Sequence, residues 1–324
     1  MMNLKKTLQI KNELARQIIA EFWGTFILVT FSIASGAQCV LSGQGLSSYL
    51  SVSFAGGLGL TLGIYWSGGV SGGCLNPAVT MALCLRGVIP WYKWPFYTVA
   101  NLGGSFFAAA VQYLLYFDAL NHYDGGRRST TGPTATAAIF ATYPQPFVTT
   151  ASCFFDQVFG TFILLGCVLA ITDRRNMAPS DGFLPVALGS IMVGIGTCFA
   201  LNCGYAINPA RDLGPRLFTA VAGWGSETFT FREYNWFWVP LVGPMVGSVL
   251  AWLVYTMSIE LHWPDGEVNA NHEQVVSVAT VDKGHINLAK CAYNGAQDAQ
   301  MPVCDADAAF ERHQISKELM GDLE

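Results

Sequence analysis

Six stretches of this chain, at residues 17–41, 48–70, 94–117, 147–172, 183–206 and 236–259, are almost unbroken runs of apolar side chains. Each has the roughly 20 residues that a helix needs to cross about 30 Å of hydrocarbon. Four of them hold no formal charge; Glu21 interrupts the first and Asp156 the fourth. In lipid every backbone N–H and C=O must find its partner inside the protein, so such runs predict spanning helices. The sparse charge agrees: 12% of the 324 residues are charged, against about 25% in soluble domains. The expected fold is an all-α membrane protein with six transmembrane helices.

An even number of spans places both termini on one face. The N-terminal segment (Lys5, Lys6, Lys11, Arg16), the 71–93 connection (Arg86, Lys93) and the 173–182 connection (Arg174, Arg175) share that face. Arg127, Arg128, Arg216 and Arg232 fall on the other. The bias predicts cytoplasmic termini. No cleavable signal peptide is expected, because the first apolar run is too long for one. Residues 263–324 are rich in Asp, Glu, Asn, Gln and Ala and cannot span. They are expected to form a mostly disordered cytoplasmic tail with a short helix near 305–320.

The chain repeats itself. Gly24-Thr25-Phe26-Ile27-Leu28 recurs as Gly160-Thr161-Phe162-Ile163-Leu164, and Asn76-Pro77-Ala78 recurs as Asn208-Pro209-Ala210, at offsets of 136 and 132. Three spans per copy is an odd number, so the second copy enters the membrane from the opposite side. The layout is an inverted three-plus-three repeat with its site near the midplane. The organisation read from this is a segment 1–16, a membrane domain 17–262 (repeat one about 17–117, repeat two about 147–262) and the tail 263–324.

Each Asn-Pro-Ala follows an irregular, glycine-bearing segment: Gly72-Gly73-Cys74 before one, Cys203-Gly204-Tyr205 before the other. Asn is a good helix N-cap and Pro suits the first helical position, so each Asn-Pro predicts a helix start. The helices that follow, about 77–86 and 209–219, are long enough for half a bilayer. Two re-entrant half-helices from opposite faces then meet tip to tip. Irregular backbone at that depth is tolerated only around a cavity. The carbonyls of Gly72, Gly73, Cys74, Cys203 and Gly204 are therefore expected to line a pore. The half-helix N-termini, with the Asn76 and Asn208 amides, put positive potential at its centre, which opposes protons and cations.

These motifs resemble the major intrinsic protein family, and its aquaglyceroporin branch in particular, over about residues 15–262. The branch is marked by Asn208-Pro209-Ala210-Arg211-Asp212-Leu213-Gly214-Pro215-Arg216 followed by Ala222-Gly223-Trp224-Gly225. Tyr116, Arg216, Pro240 and Leu241 match the residue types of similar glycerol-conducting members. The resemblance implies a passive channel for water, glycerol and other small neutral solutes such as urea. It also implies exclusion of ions, a homotetramer with one pore per protomer, and residence in the plasma membrane. Asp212 is the marker of glycerol conduction. An arginine within a bilayer costs about 2.5–3.5 kcal/mol on insertion scales, so Arg211 is expected to face a cavity and serve a function. By resemblance it is one wall of the selectivity filter, and Gly56, Gly196 and Tyr205 are the others. Cys74 stands where similar proteins carry His, and Gly56 where bacterial glycerol facilitators carry Trp.

Glu21 and, at the repeat offset, Gln157 are expected to accept hydrogen bonds from N–H groups of the irregular loops. The glycine pairs Gly59/Gly63 and Gly243/Gly247 predict close helix contacts within the protomer. The nine cysteines are scattered and the five histidines lie in loops or the tail, with no metal-ligand spacing and no nucleophile beside them. No metal, cofactor or enzymatic activity is expected, and with no basic stripe and a net charge of −5, no nucleic-acid partner. The competing class is a proton- or ion-coupled secondary transporter, which shares inverted repeats; coupling needs ionisable groups near the midplane, and this chain offers Arg211 and Glu21.

Overall fold

The computed structural model describes residues 8–264 and the two segments 276–282 and 285–291. The chain divides into two units, 1–268 and 269–324. Among its described residues the first unit is all-α. Its first repeat comprises α1 (Glu13–Leu41), α2 (Tyr49–Ser71), α3 (Pro77–Leu85) and α4 (Lys93–Leu115). A short helix α5 (Phe117–Asp124) and a 3-10 turn at Ala137–Ile139 lead to the second repeat. That repeat comprises α6 (Thr150–Thr172), α7 (Leu184–Phe199), α8 (Pro209–Val221), the short α9 (Glu227–Thr230) and α10 (Val239–Ser258). Helices α1, α2, α4, α6 and α10 are long and apolar enough to cross a membrane. The sixth, α7, has 16 residues, or about 24 Å at 1.5 Å per residue.

The apolar run expected to span 183–206 is thus cut short at Phe199. Residues 200–207 leave the helix for the irregular segment before α8, with Gly204 at φ +72° and Ile207 at φ +38°. Hydropathy does not separate the two, because buried loop and buried helix are equally apolar.

Within repeat one, α1 packs on α2 and α4; in repeat two, α6 packs on α7 and α10. The repeats are then sewn together by α2 against α7, and by each half-helix against the last long helix of the other repeat, α3 on α10 and α8 on α4. Small residues permit these approaches. A Cβ on Gly59 would lie 2.8 Å from Phe31 Cβ and 2.9 Å from the Leu28 carbonyl; on Gly63, 2.7 Å from the Gly24 carbonyl; on Gly243, 2.8 Å from Gln157 Cβ. Both glycine pairs therefore pack inside the protomer. Ser248 Oγ donates to the Ala78 carbonyl at 2.8 Å and pins α3 to α10.

The second unit contains an antiparallel strand pair, β1 (Val276–Asp282) and β2 (His285–Cys291), with Val276 opposite Cys291 and Asp282 opposite His285. The pair lies within the stretch 263–324 that the composition reads as a mostly disordered tail. The local sequence carries a period-two pattern, Val276-x-Val278-x-Thr280 and Ile286-x-Leu288, which a composition average hides. The helix expected near 305–320 lies outside the described residues.

Candidate functional site

Asn76 and Asn208 are the N-caps of α3 and α8. Asn76 Oδ1 accepts from the N–H of Ala78 at 2.9 Å; Asn208 Oδ1 accepts from Ala210 at 3.0 Å and Arg211 at 3.2 Å. Pro77 and Pro209 occupy the first helical positions, where a missing N–H costs nothing. The two helices meet at these ends. Asn76 Nδ2 donates to the Ile207 carbonyl at 3.0 Å, and Asn208 Nδ2 to the Leu75 carbonyl at 2.8 Å. Their far ends diverge: Arg86, just past α3, pairs with Glu260 and Asp173, whereas α8 ends beside Trp224, which donates to Thr136.

The approach depends on backbone turned into the left-handed region. Leu75 (φ +53°) and Ile207 (φ +38°) adopt it without being glycine, which costs of order 1–3 kcal/mol each and persists only when the surroundings enforce it. The enforcement is visible. A Cβ on Gly24 would lie 2.5 Å from Leu75 Cδ2, and one on Gly160 would lie 3.2 Å from Ile207 Cγ2. The repeated Gly-Thr-Phe-Ile-Leu segment thus provides the glycine floor on which the residue before each Asn rests.

The irregular loops take their remaining partners from Glu21 and Gln157, both fully buried. Glu21 accepts from the N–H of Cys74 (3.0 Å) and of Leu75 (2.8 Å), from Ser71 Oγ (2.6 Å) and from Asn101 Nδ2 (2.9 Å). Gln157 Oε1 accepts from the N–H of Ile207 at 3.0 Å, while its Nε2 donates to the Gly204 carbonyl at 3.0 Å and Cys203 Sγ at 3.3 Å. Asn101 was legible only as a polar residue in an apolar run. The carbonyl ladder is partly spent: Leu75 and Ile207 carbonyls serve the Asn amides, and the Gly204 carbonyl already serves Gln157. The Cys203 thiol is buried against the Cys153 carbonyl, 3.9 Å away.

Gly72, Gly73, Cys74, Asn76 and Asn208 line a cavity of about 110 Å³ whose other wall is aliphatic, from Leu60 and Ile64 to Leu164, Val168, Leu188 and Met192. It adjoins a second cavity of about 340 Å³ beside Gln17, Arg86, Lys93 and Tyr97; the two share Gly72, Cys74, Leu83 and Thr172. Through these shared residues the lining runs from the Asn pair toward Arg86.

On the other side of the Asn pair, Tyr205 lies across Gly196 and against Gly56. A Cβ on Gly196 would be 2.8 Å from Tyr205 Cζ, and one on Gly56 would be 3.2 Å from its hydroxyl. Arg211 Nη1 donates to the Phe140 carbonyl at 2.9 Å. Asp212 is fully buried and faces protein: Oδ2 accepts from Thr142 N–H (2.7 Å) and Oγ1 (2.6 Å), and Oδ1 from Arg216 Nε (2.9 Å) and Nη2 (2.7 Å). Arg216, also fully buried, reaches the carbonyls of Thr228 and Thr142 and lies 4.7 Å over the Tyr143 ring. Tyr116 caps the end of α4, and Pro240 and Leu241 open α10. No sequence signal pointed to Phe140 or Thr142, which lie in the connection between the repeats.

Six membrane helices and two half-helices that meet at their capped tips define an integral membrane channel of the inverted-repeat class. The sequence profile of the family described as Major intrinsic protein matches residues 8–255. The chain therefore belongs to the major intrinsic protein family, whose members are channels and not enzymes. It is 45% identical to Aquaporin-10 of Homo sapiens over 259 residues, 80% of this chain and 86% of that one. It is 43% identical to Aquaporin-9 of Homo sapiens over 272 residues, 84% and 92% of the two chains. Among solved structures it is similar to the aquaglyceroporin from Plasmodium falciparum, with a TM-score of 0.68 and 32% identity over 76% of this chain and 97% of that one. The coarse function, passive passage of water and small solutes, follows from this membership.

Proposed function

We propose that the chain conducts glycerol beside water, admits other small neutral solutes such as urea, and excludes protons and ions. The observation that carries this reading is the pairing of Arg211 with a filter floored by glycine. Arg211 spends one N–H on Phe140, which leaves further donors for two hydroxyls of one polyol. Gly56 and Gly196 add no side chain of their own to this wall, so Tyr205 packs directly over both: a Cβ on Gly196 would meet its ring and one on Gly56 its hydroxyl. Tyr205 then offers its ring to the C–H edge of the solute. Past the filter, the solute meets the Asn76 and Asn208 amides, whose second N–H remains available, and the carbonyls of Gly72 to Cys74. A neutral hydroxyl both donates and accepts along this path. A cation meets the guanidinium of Arg211 and two positive helix ends.

The likeness to aquaglyceroporins supports glycerol as cargo, and the family supports a homotetramer with one pore per protomer. The Lys and Arg distribution supports cytoplasmic termini, which puts the cavity beside Arg86 on the cytosolic side, and the resemblance to the family supports residence in the plasma membrane.

Stopped-flow swelling of proteoliposomes tests the reading. Wild type passes both water and glycerol without saturation and without response to a proton gradient; Gly56→Trp lowers glycerol flux more than water flux. Saturable, gradient-dependent flux would instead identify a coupled transporter, and an equal loss of both fluxes in Gly56→Trp would remove Gly56 from the filter.

A further inference from the structure

Asp212 marks glycerol conduction by resemblance, yet its carboxylate is wholly buried and makes all four of its hydrogen bonds to protein. Its influence on a solute must run through whatever it holds. It holds Thr142 and Arg216, and Arg216 in turn binds the Thr142 carbonyl; we propose that Thr142, where both holds converge, is the positioning residue that sets the glycerol-over-water selectivity of the pore. The inference rests on the reading of Arg211, Tyr205, Gly56 and Gly196 as the filter.

Thr142 uses every polar atom it has. Its N–H and Oγ1 both donate to Asp212 Oδ2, at 2.7 and 2.6 Å. Its carbonyl accepts from Arg216 Nη2 at 2.6 Å and from the buried Trp236 Nε1 at 2.7 Å. Its methyl lies 3.1 Å from where a Cβ on Gly204 would sit. Thr142 therefore touches the residue after Arg211 and the residue before Tyr205, the two side chains that face each other in the proposed filter. Two positions earlier in the same segment, the Phe140 carbonyl receives Arg211 Nη1. Phe140 and Ala141 are buried, and the Phe140 ring packs on Trp224 and Phe218. Beyond the short 3-10 turn the segment has no helix or strand to hold it. The Asp212–Thr142 bonds supply that hold from one side, and Arg216, itself clamped by Asp212, supplies it from the other.

The consequence differs between solutes. Water needs one donor and can meet it in many orientations. A polyol that engages the guanidinium through two hydroxyls needs the plane of Arg211 fixed. Loosening the Phe140 carbonyl thus penalises glycerol selectively, whereas simple loss of folded protein lowers both fluxes in proportion and leaves their ratio unchanged.

The experiment compares glycerol and water permeability on the same proteoliposomes for wild type, Thr142→Val, Thr142→Ser and Arg211→Ala. Thr142→Val keeps the shape and removes the hydroxyl, and the glycerol-to-water ratio is expected to fall roughly threefold to tenfold, the net scale of one ordinary intramolecular hydrogen bond. Thr142→Ser keeps the hydroxyl and is expected to stay within about twofold of wild type, since its bond to Asp212 survives. If the valine methyl against the carboxylate prevents folding, Thr142→Ala removes the hydroxyl without adding that group and reads the same ratio. An unchanged ratio in the hydroxyl-free variants, or an equal fall in Thr142→Ser, overturns the proposal. Arg211→Ala separates the two levels: if it leaves the ratio unchanged, the filter reading itself fails, and if it alters the ratio while Thr142→Val does not, only the role of Thr142 fails.

Discussion

Asn76 and Asn208 are joined by a reciprocal exchange: each side-chain amide donates to the carbonyl immediately before the other Asn, at 3.0 Å to Ile207 and 2.8 Å to Leu75. Each residue therefore does two jobs, capping its own half-helix with Oδ1 and tethering the opposite loop with Nδ2. The exchange also explains why two non-glycine residues tolerate positive φ. The left-handed turn at Leu75 and at Ile207 presents each carbonyl to the amide across the midplane, and the bond helps to offset the strain.

Replacing either Asn by Ala removes one cap and one cross-link, together about 2 kcal/mol. Asn208→Ala should be the worse, because Asn208 Oδ1 accepts a second N–H from Arg211 at 3.2 Å. The double variant should lose less than the sum, since the two loops already share the disturbance of either single change. Thermal unfolding in detergent gives the order; equal melting of the two single variants would contradict it.

Glu21 and Gln157 occupy related places in the two repeats but are not interchangeable. Both oxygens of Glu21 face donors: Ser71 Oγ and the Cys74 N–H at one, the Leu75 N–H and Asn101 Nδ2 at the other. Gln157 faces a donor with Oε1 and a carbonyl with Nε2. Glu21→Gln turns an NH2 toward two donors, and Gln157→Glu turns an oxygen toward the Gly204 carbonyl. Each should cost about 1–3 kcal/mol, the range for a buried polar group left without a partner. Yield and melting temperature of the two swaps measure this; wild-type stability in either would show that the loops find other partners.

The apolar runs, the repeat and the Asn-Pro starts make the membrane helices and both half-helices legible in the sequence, because each depends on local chemistry. The end of α7 at Phe199 is not legible, since residues 200–207 are as apolar as a helix. Leu75 and Ile207 as strained residues are also invisible: their φ is imposed from Gly24 and Gly160, about 50 residues away. The same holds for the link from Asp212 to Arg211. It runs through a backbone carbonyl at Phe140 and through Thr142, and neither residue type carries a sequence signal. Gly56 and Gly196 could be assigned only by resemblance, yet both border Tyr205.

Gly196 is the tightest of these contacts. An added Cβ would sit 2.8 Å from Tyr205 Cζ and 2.9 Å from Ser53 Cβ and Oγ, inside the distance at which side-chain atoms pack. Gly196→Ala must therefore displace Tyr205, and overpacking of this kind costs about 1–3 kcal/mol. Glycerol permeability should fall more than water permeability in stopped-flow measurements, because the displaced ring no longer offers a face to the C–H edge of the solute. A proportional fall in both would show that Tyr205 does not discriminate between them.

The far end of α3 is held by a charge cluster in which Asp173 is central. Asp173 accepts from Arg175 N–H, Nε and Nη2, each within 3.2 Å, and from the Tyr255 hydroxyl at 3.1 Å, and lies 3.4 Å from Arg86. Glu260 completes the cluster with bonds to Arg86 and Arg175. Burial pushes the Asp173 carboxyl up, but the hydrogen bonds from Arg175 and Tyr255 outweigh it and hold the group below its ordinary value of 3.8. A carboxyl with a depressed folded value stabilises fully above the unfolded value and loses that contribution only as pH falls through the lower one. Asp173→Asn should therefore melt below wild type at neutral pH, and the gap should persist unchanged to about pH 5, still above the ordinary carboxylate range. It should close only at more acid pH, where wild type also loses the charge. A gap that closes between neutral pH and about pH 5 would mean that Asp173 titrates at or above the ordinary range, and that the cluster does not hold its charge in the way the hydrogen bonds require.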